Sequence, residues 1–197
     1  MRRSILSLVL ALSMLLAGSI PAGAAQRETA DVLNQGGQGV YAEAGAQLVR
    51  QPNGIAVSVK MPTPESGSYL YPSGTEPGHP EVFTLWMFVF NHPEQCATAY
   101  QCGPGDMNNP AVEFGVYNPA GHVAADGTLT LAGRVGVGDI AQAPPGITAH
   151  DLSNPAGAEV HLAVTSHGGL DPSTLPGEFR IPTGSGGCGC WWVALVH

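Results

Sequence analysis

The segment Glu81–Phe90, with the sequence EVFTLWMFVF, constrains the fold of this chain more than any other feature. Apolar residues occupy almost every position instead of every second position, which is typical of a strand buried on both faces. Such a strand must be covered by a second layer of structure or enclosed in a filled barrel. We therefore expect either two packed sheets or a small closed barrel.

Further strands are predicted wherever apolar and polar residues alternate. Turn sequences separate them, and the clearest are Gln51-Pro52-Asn53-Gly54, Asn118-Pro119-Ala120-Gly121 and Asp126-Gly127, the last being the best hairpin signal. The predicted fold is all-β, an antiparallel β-sandwich or small β-barrel of about seven to nine short strands. The predicted strands cover residues 40–45, 55–60, 81–90, 112–116, 123, 129–135, 160–165 and 191–196.

The N-terminus predicts a secretory signal peptide over residues 1–24. Two arginines are followed by an apolar run from Ile5 to Ala17 and by the small residues Ala22-Gly23-Ala24, which form a cleavage site. The apolar run is short for a membrane-spanning helix and no second run of that length follows, so we expect no membrane span after cleavage. The product is predicted to be secreted or periplasmic, in either case extracytoplasmic.

The rest of the chain is long enough for one domain with its own core. Residues 25–39 are polar and contain several glycines, and we expect a flexible N-terminal arm there, with a short helix near residues 29–34 as the alternative. A single β domain is then predicted over residues 40–197.

The charge of the chain limits its partners. Without Arg2 and Arg3, five basic side chains stand against 15 acidic ones, a net charge of −10. Nucleic acids and anionic membranes require clustered lysine and arginine, so neither is expected as a partner. The acidity is typical of a soluble protein, and a cationic ligand or polymer is the alternative interpretation.

Residues 61–80 contain five prolines and few apolar residues, which excludes a helix or a central strand. We expect a long surface loop, and long loops in compact domains are often functional or mobile. Tyr69 and Tyr71 in this loop are candidate binding aromatics. The alternative is that they pack the loop down onto the domain.

The four cysteines are predicted to form disulfides, because an exported chain meets an oxidising compartment. Four cysteines allow three pairings. Local pairing would join Cys96 to Cys102 and Cys188 to Cys190, and cross pairing would join each cysteine of the first pair to one of the second. Four thiolates around zinc are a third alternative, although zinc ligands are usually spaced two to four residues apart.

Strand pairing bears on the choice between these alternatives. The segments 81–90 and 191–196 are the most apolar runs of the mature chain, and we expect them to be antiparallel neighbours in the sheet. Such pairing would bring all four thiols to one end of the domain. Local and cross pairing both remain open at this point.

Histidine and carboxylate residues offer one candidate catalytic or metal site. Glu159 and His161 share one face of a predicted strand, and His122 or His150 could join them from elsewhere in the fold. The alternative is that these are ordinary surface histidines. The chain has no Gly-x-Ser-x-Gly elbow, no phosphate-binding loop and no His-Glu-x-x-His sequence, which weakens an enzymatic interpretation. We expect no cofactor.

Three segments carry a resemblance to known proteins. The sequences FTLWMFVFNHPEQC, AGHVAADGTLTLAGRVGVGD and GAEVHLAVTSHG together resemble a group of secreted bacterial all-β proteins whose function is uncharacterised. GAEVHLAV is also similar to part of the chordin-type (CHRD) extracellular β domain, which carries a His-x-His element. Here His161 is followed by Leu162 and Ala163, so neither resemblance implies a role for a particular residue.

The function that the sequence favours is a non-enzymatic secreted β domain that binds an extracellular surface, polymer or small ligand. One alternative is a metal-dependent or other enzyme with its site near His122, Glu159 and His161. A second alternative is a barrel with an internal cavity for a small ligand. Export, cross-linking by cysteine, acidity and long turn-rich loops support the first of these.

Overall fold

The computed structural model describes residues 25–180 and 189–196. This part of the chain forms eight strands, which confirms the all-β prediction and the expected number of strands. Short 3-10 helices cover Gln35–Gly37, Pro93–Gln95, Pro104–Asp106 and Gly177–Arg180, and no helix among the described residues has the length and apolar character needed to cross a membrane. The strands are β1 Gln26–Leu33, β2 Val40–Gln51, β3 Gly54–Pro62, β4 Glu81–Phe90, β5 Phe114–Ala124, β6 Thr128–Gly136, β7 Glu159–Gly169 and β8 Trp192–Val196.

All eight strands belong to one antiparallel sheet in the order β5-β4-β7-β8-β1-β2-β3-β6. The two outermost strands, β5 and β6, approach each other and nearly close the sheet into a barrel. At this seam a Cβ atom on Gly133 of β6 would lie 2.3 Å from the carbonyl oxygen of Pro119 in β5. The backbones of the two strands are therefore in direct contact.

The chain turns at residues 125–127, as the Asp126-Gly127 signal predicts, but the expected hairpin does not form. β5 pairs with β4 and β6 pairs with β3, so the two strands that the turn joins are not neighbours in the hydrogen-bonded order. Pro119 has no N–H to donate, which disfavours a backbone ladder across the seam. The predicted turn over residues 118–121 is also wrong, because this stretch continues β5 through an irregularity in its register.

Both faces of β4 are buried, as the sequence predicts. Phe83, Leu85, Met87 and Val89 point into the barrel and belong to its main apolar core. That core also contains Trp192, which is 1 % exposed. The barrel interior is therefore filled with side chains, and a ligand-sized space lies on the outer face of the sheet.

Residues 26–33 form strand β1, so the predicted flexible arm is wrong for this stretch, and so is the alternative helix. β1 pairs with β2 from Gln26 opposite Arg50 to Leu33 opposite Val40 and meets β8 at Val193. Its sequence, QRETADVL, buries only Val32, so it lacks the apolar alternation by which strands are recognised. Backbone pairing holds it in place instead.

Arg50 supplies the principal side-chain anchor for β1. Its Nε and Nη2 atoms bind the two carboxylate oxygens of Glu28 over 2.7 and 3.1 Å, and its Nη1 donates to the carbonyl oxygens of Pro155 and Ala158 over 3.1 and 2.7 Å. The guanidinium fork thereby joins β1, β2 and the turn before β7. Because Arg50 is 5 % exposed, little water competes for these bonds.

The terminal strand lies elsewhere in the sheet than predicted. β8 pairs with β7, with Ala163 opposite Val193, and β7 separates it from β4. The expected pairing of residues 191–196 with residues 81–90 is therefore wrong. Apolar character predicts that a strand is central, but β7 is as well buried as β4, so hydropathy does not fix the order of the central strands.

Candidate ligand-binding groove

A cavity of about 700 Å³ lies on the outer face of the sheet. Its floor is formed by β4, β7, β8 and part of β5, and two loops form its walls. We call it the aromatic groove. Its lining residues are Trp86, Phe88, Phe90, Gly103, Pro104, Met107, Val116, Gln142, Ala143, Pro144, Pro145, His161, Leu162, Ala163, Trp191, Val193 and Leu195.

The alternation of side chains along β4 puts its aromatic residues on the floor of the groove. In β4 the side chains of Trp86, Phe88 and Phe90 face away from the barrel interior, because successive side chains of a strand point to opposite faces. The ring of Phe88 lies 6.3 Å from that of Phe114 and 5.7 Å from that of Trp191. Aromatic pairs at these distances attract one another, so the floor is a preformed surface.

The first wall is the loop between β4 and β5, in which a disulfide joins Cys96 to Cys102, whose Cα atoms are 5.3 Å apart. The backbone N–H of Cys102 donates to Glu159 Oε1 over 3.0 Å, which fastens the loop to β7. Inside the loop, the N–H of Ala97 donates to Asp106 Oδ1 over 2.7 Å. These bonds hold Gly103, Pro104 and Met107 at the edge of the groove.

The bond between Cys96 and Cys102 confirms local pairing for these two residues. It is incompatible with cross pairing and with a zinc site built from all four thiolates. Cys190 is disulfide-bonded as well. Cys188 lies outside the described residues.

The second wall is the loop that contains Gln142. Gln142 and Val116 exchange two backbone hydrogen bonds of 2.8 Å, so this loop adds one bridge at the free edge of β5. Pro144 and Pro145 follow after Ala143 and line the rim. Prolines fix φ, which limits how far this wall can move.

The predicted residues Glu159 and His161 lie together at one end of the groove. His161 Nε2 is 2.7 Å from Glu159 Oε1, and the imidazole ring packs 5.0 Å from the ring of Phe90. Glu159 is 1 % exposed, whereas His161 lines the groove. The carboxylate thus orients the imidazole, which gives an otherwise apolar surface one polar edge.

His122 does not join this pair. His122 is an exposed residue of β5 and pairs with Phe83 of β4. His161 of β7 pairs instead with Phe88 of β4, and the residue of β5 opposite Phe88 is Val116. His122 is six positions from Val116 along β5, about 20 Å at the usual rise of a strand. No three His, Cys, Asp or Glu residues of the described chain are grouped as a metal ion would require.

Tyr69 and Tyr71 lie away from the groove, where they pack the proline-rich loop against one end of the barrel. Tyr71 donates to Glu81 Oε1 over 2.5 Å, and Tyr69 hydrogen-bonds to Glu81 and, over 2.8 Å, to Ser166. The two rings stack 4.3 Å apart, and Tyr69 packs against Trp192 at 5.0 Å. Burial, together with the Glu81 carboxylate, raises the pKa of Tyr69 well above its ordinary value.

A second buried polar pair lies on the outer face near the segment Gly177–Arg180. His167 Nε2 is 2.7 Å from Thr84 Oγ1, and Thr84 also donates to the carbonyl oxygen of Phe179 over 3.2 Å. The Phe179 side chain packs on Gly121, where a Cβ atom would lie 2.1 Å from the ring. Burial lowers the pKa of His167, and the charge of Glu178 opposes that shift.

Sequence reasoning missed the groove itself. Its strongest signal is the row of large side chains at every second position of β4, on the face opposite the barrel core. The sequence predicted that something covers this face but not that two loops leave part of it open. The sequence predicts that the last strand begins at Trp191, whereas β8 begins one residue later and Trp191 lines the groove.

Comparison with known proteins gives no relative for this chain: no protein-family model, no curated protein and no solved structure matches it. The resemblance to secreted bacterial β proteins and to the chordin-type domain therefore stays a prediction.

Proposed function

We propose that this protein is an extracytoplasmic binding domain that takes a small, largely apolar ligand into the aromatic groove. The observation that carries the proposal is the cavity of about 700 Å³, whose lining is almost entirely apolar or aromatic. Sites for small molecules and cofactors typically measure about 300–1,000 Å³ and have this composition, with a few polar groups for orientation. His161 and Gln142 are the polar side chains at the edge of this groove.

Part of the apolar lining of the groove is exposed to water, and this exposure supports a binding role. Trp86 and Phe90 are buried in a second apolar cluster on the outer face of the sheet, whereas Phe88, Trp191 and Val193 are only half-buried. Leu195 is 41 % exposed, so part of the apolar lining stays open to solvent although the barrel core on the opposite face is complete. A contiguous apolar surface of this kind commonly marks a binding site. A ligand seated there gains about 25 cal/mol for each Å² of apolar surface that leaves water.

The extracytoplasmic location is part of the same proposal. The predicted signal peptide over residues 1–24 lies outside the described residues, and the disulfide between Cys96 and Cys102 supports the location independently. Since that disulfide closes one wall of the groove, an oxidising compartment also favours the binding-competent form.

A catalytic role near Glu159 and His161 is less well supported. These two residues form a pair, but His122 lies far along the sheet and supplies no third group. An imidazole held by a carboxylate can orient a polar group of a ligand without any reaction. We therefore assign the pair to ligand orientation.

The test is binding of a neutral fluorescent probe, N-phenyl-1-naphthylamine, to three forms of the protein. Leu195 is 41 % exposed and lines the groove, whereas Leu70 is 59 % exposed and lies outside it. Leu195→Asp places a carboxylate in the groove and should weaken binding by about tenfold or more, because a charge beside an apolar ligand must lose water. Leu70→Asp is the matched control and should bind like the wild type.

Saturable binding of one probe per chain, lost in Leu195→Asp and retained in Leu70→Asp, is the expected result. Absence of saturable binding to the wild type would refute the proposal. Equal weakening by both substitutions would place the probe outside the groove and would refute it as well. Far-ultraviolet circular dichroism of both variants verifies that they keep the β fold.

A further inference from the structure

A smaller polar cleft adjoins the aromatic groove at the barrel seam. It measures about 300 Å³ and is bounded by the middle of β5 and the end of β6, two strands that meet without a backbone ladder. We call it the arginine cleft. The side chains on which the argument depends are Asn118, Arg134, Asp139, Ile140, Gln142 and Arg180.

The two cavities are neighbours on the outer surface. Gln142 lines both of them. Val116 lines the groove and Asn118, two residues further along β5, lines the cleft. Because Gln142 lines both cavities, a ligand that follows β5 outward from the groove passes Gln142 and reaches the cleft.

The cleft gathers two of the five basic residues that follow the predicted signal peptide. Arg134 donates through Nη2 to the backbone and side-chain oxygens of Asn53, each over 2.8 Å, and both acceptors are neutral. Arg180 is exposed and forms no ion pair with another described residue. By contrast, Arg50 is neutralised by Glu28. Within the described residues, the positive charge in the cleft therefore has no carboxylate bound to it.

Asp139 is the single carboxylate that lines the cleft within the described chain. Its Oδ2 accepts the backbone N–H of Gly136 over 2.7 Å, so this oxygen serves to hold the end of β6. Two guanidinium groups and one carboxylate leave an excess positive charge at this point of a strongly acidic protein. Ile140, which is 86 % exposed, adds an apolar edge to the cleft.

We infer that the ligand of the aromatic groove is an anionic amphiphile, whose single carboxylate or phosphate head lies beside Arg134 and Arg180 while its apolar body occupies the groove. This inference rests on the proposed function. Guanidinium groups bind both kinds of head through paired, charge-assisted hydrogen bonds. The overall negative charge of the protein repels anions and attracts cations, so preference for an anionic head must come from the cleft itself.

The first experiment compares ligands that share a twelve-carbon chain and differ in the head. Dodecanoate, dodecanol and dodecyltrimethylammonium are titrated below their aggregation concentrations against bound N-phenyl-1-naphthylamine, at about pH 8, where the carboxylic acid is ionised. Dodecanoate should bind about tenfold or more tightly than dodecanol, since charge-assisted bonds exceed neutral ones in strength. The cationic amphiphile should bind no better than the alcohol.

The second experiment removes the two charges. In the double variant Arg134→Gln/Arg180→Gln, the affinity for dodecanoate should fall to within about twofold of the affinity for dodecanol. The affinity for dodecanol should stay unchanged. Arg27→Gln is the matched control, because Arg27 is exposed on β1 and lines neither cavity. The single variant Arg180→Gln changes an exposed position and should lose part of the same affinity for dodecanoate. It replaces the double variant in the test if the double variant unfolds.

Dodecyl phosphate distinguishes the two kinds of head. Binding tighter than that of dodecanoate assigns the natural head to a phosphate, and weaker binding assigns it to a carboxylate; both agree with the inference. Equal affinity for dodecanoate and dodecanol, or an unchanged preference in the double variant, would overturn it. In that case binding of dodecanol and N-phenyl-1-naphthylamine would still support the proposed function, whereas failure of both neutral ligands would refute that function.

Discussion

Cys102 donates its backbone N–H to Glu159 Oε1 over 3.0 Å, and this bond joins the disulfide loop to the strand beneath the aromatic groove. Glu159 is 1 % exposed and the same oxygen also binds His161. One buried carboxylate thereby sets the position of a loop wall and of the imidazole at the groove end. The anchoring of the loop and the orientation of His161 therefore both depend on this residue.

Glu159→Ala should lower the free energy of unfolding by about 1–3 kcal/mol, because it leaves the buried Cys102 N–H without its acceptor. Urea denaturation measures this loss. Hydrogen exchange of the Cys102 amide should accelerate in the same variant. Glu94→Ala, on the surface of the same loop, is the control and should change stability little. Equal effects of the two substitutions would contradict the role assigned to Glu159.

Removal of the disulfide by Cys96→Ser/Cys102→Ser should cost about 2–3 kcal/mol through the entropy of the unfolded chain. The affinity for N-phenyl-1-naphthylamine should also fall at temperatures where the variant remains folded, since the loop that carries Met107 is then less constrained. Denaturation and probe titration measure the two effects. Unchanged affinity in a destabilised variant would show that this loop is not a wall of the site.

Arg50→Ala should be the most damaging of these substitutions, with a loss of about 3–5 kcal/mol, because it breaks a buried ion pair and leaves two carbonyl oxygens without a donor. Arg50→Lys keeps the charge but not the guanidinium fork and should fall between that variant and the wild type. Arg27→Ala on the exposed side of β1 is the control. A loss for Arg50→Ala no larger than that for Arg27→Ala would mean that β1 is held by its backbone pairing alone.

His167 should make the protein less stable in mild acid. Burial lowers its pKa in the folded state below the ordinary 6.5, so the unfolded chain binds a proton first as the pH falls. The contribution of the neutral imidazole is complete above about pH 6.5 and is lost progressively below it, until the folded form is protonated as well.

The test is the urea midpoint of the wild type and of His167→Gln across this range. The wild type should lose more stability than the variant between about pH 7 and pH 5, whereas His79→Gln, at an exposed histidine, should follow the wild type. Parallel curves for the wild type and His167→Gln would contradict the assignment.

Those parts of the fold with a clear local pattern could be predicted from the sequence. The nearly continuous apolar sequence of β4 predicts burial on two faces, and the alternation in β3, β6 and β7 predicts strands with one inward face. β1 was not predicted because it is held by backbone pairing with β2 and by the ion pair of Glu28 with Arg50. Neither interaction requires alternating apolar residues in the sequence of the strand. The hairpin at residues 125–127 was predicted from its turn, but the pairing of its strands depends on Pro119 and on partners distant in sequence.

The candidate site was predictable only in part. The pairing of Glu159 with His161 follows from their spacing of two in one strand, and the structure brings them together. The separation of His122 depends on which residues of β5 pair with β4, and no tight turn joins these two strands to fix their register. The groove exists because two loops leave Phe88 partly uncovered. The positions of these loops are set by bonds between residues far apart in sequence, such as those between Gln142 and Val116.

Nuclear Overhauser contacts between bound N-phenyl-1-naphthylamine and the methyl groups of the protein test the central claim most directly. The aromatic groove predicts contacts from the probe to Met107, Val193 and Leu195, with no contact to Leu70 or to the core methyl groups of Leu85. Contacts confined to Leu70 or to the barrel core, or a saturable complex without any contact to Leu195, would contradict it.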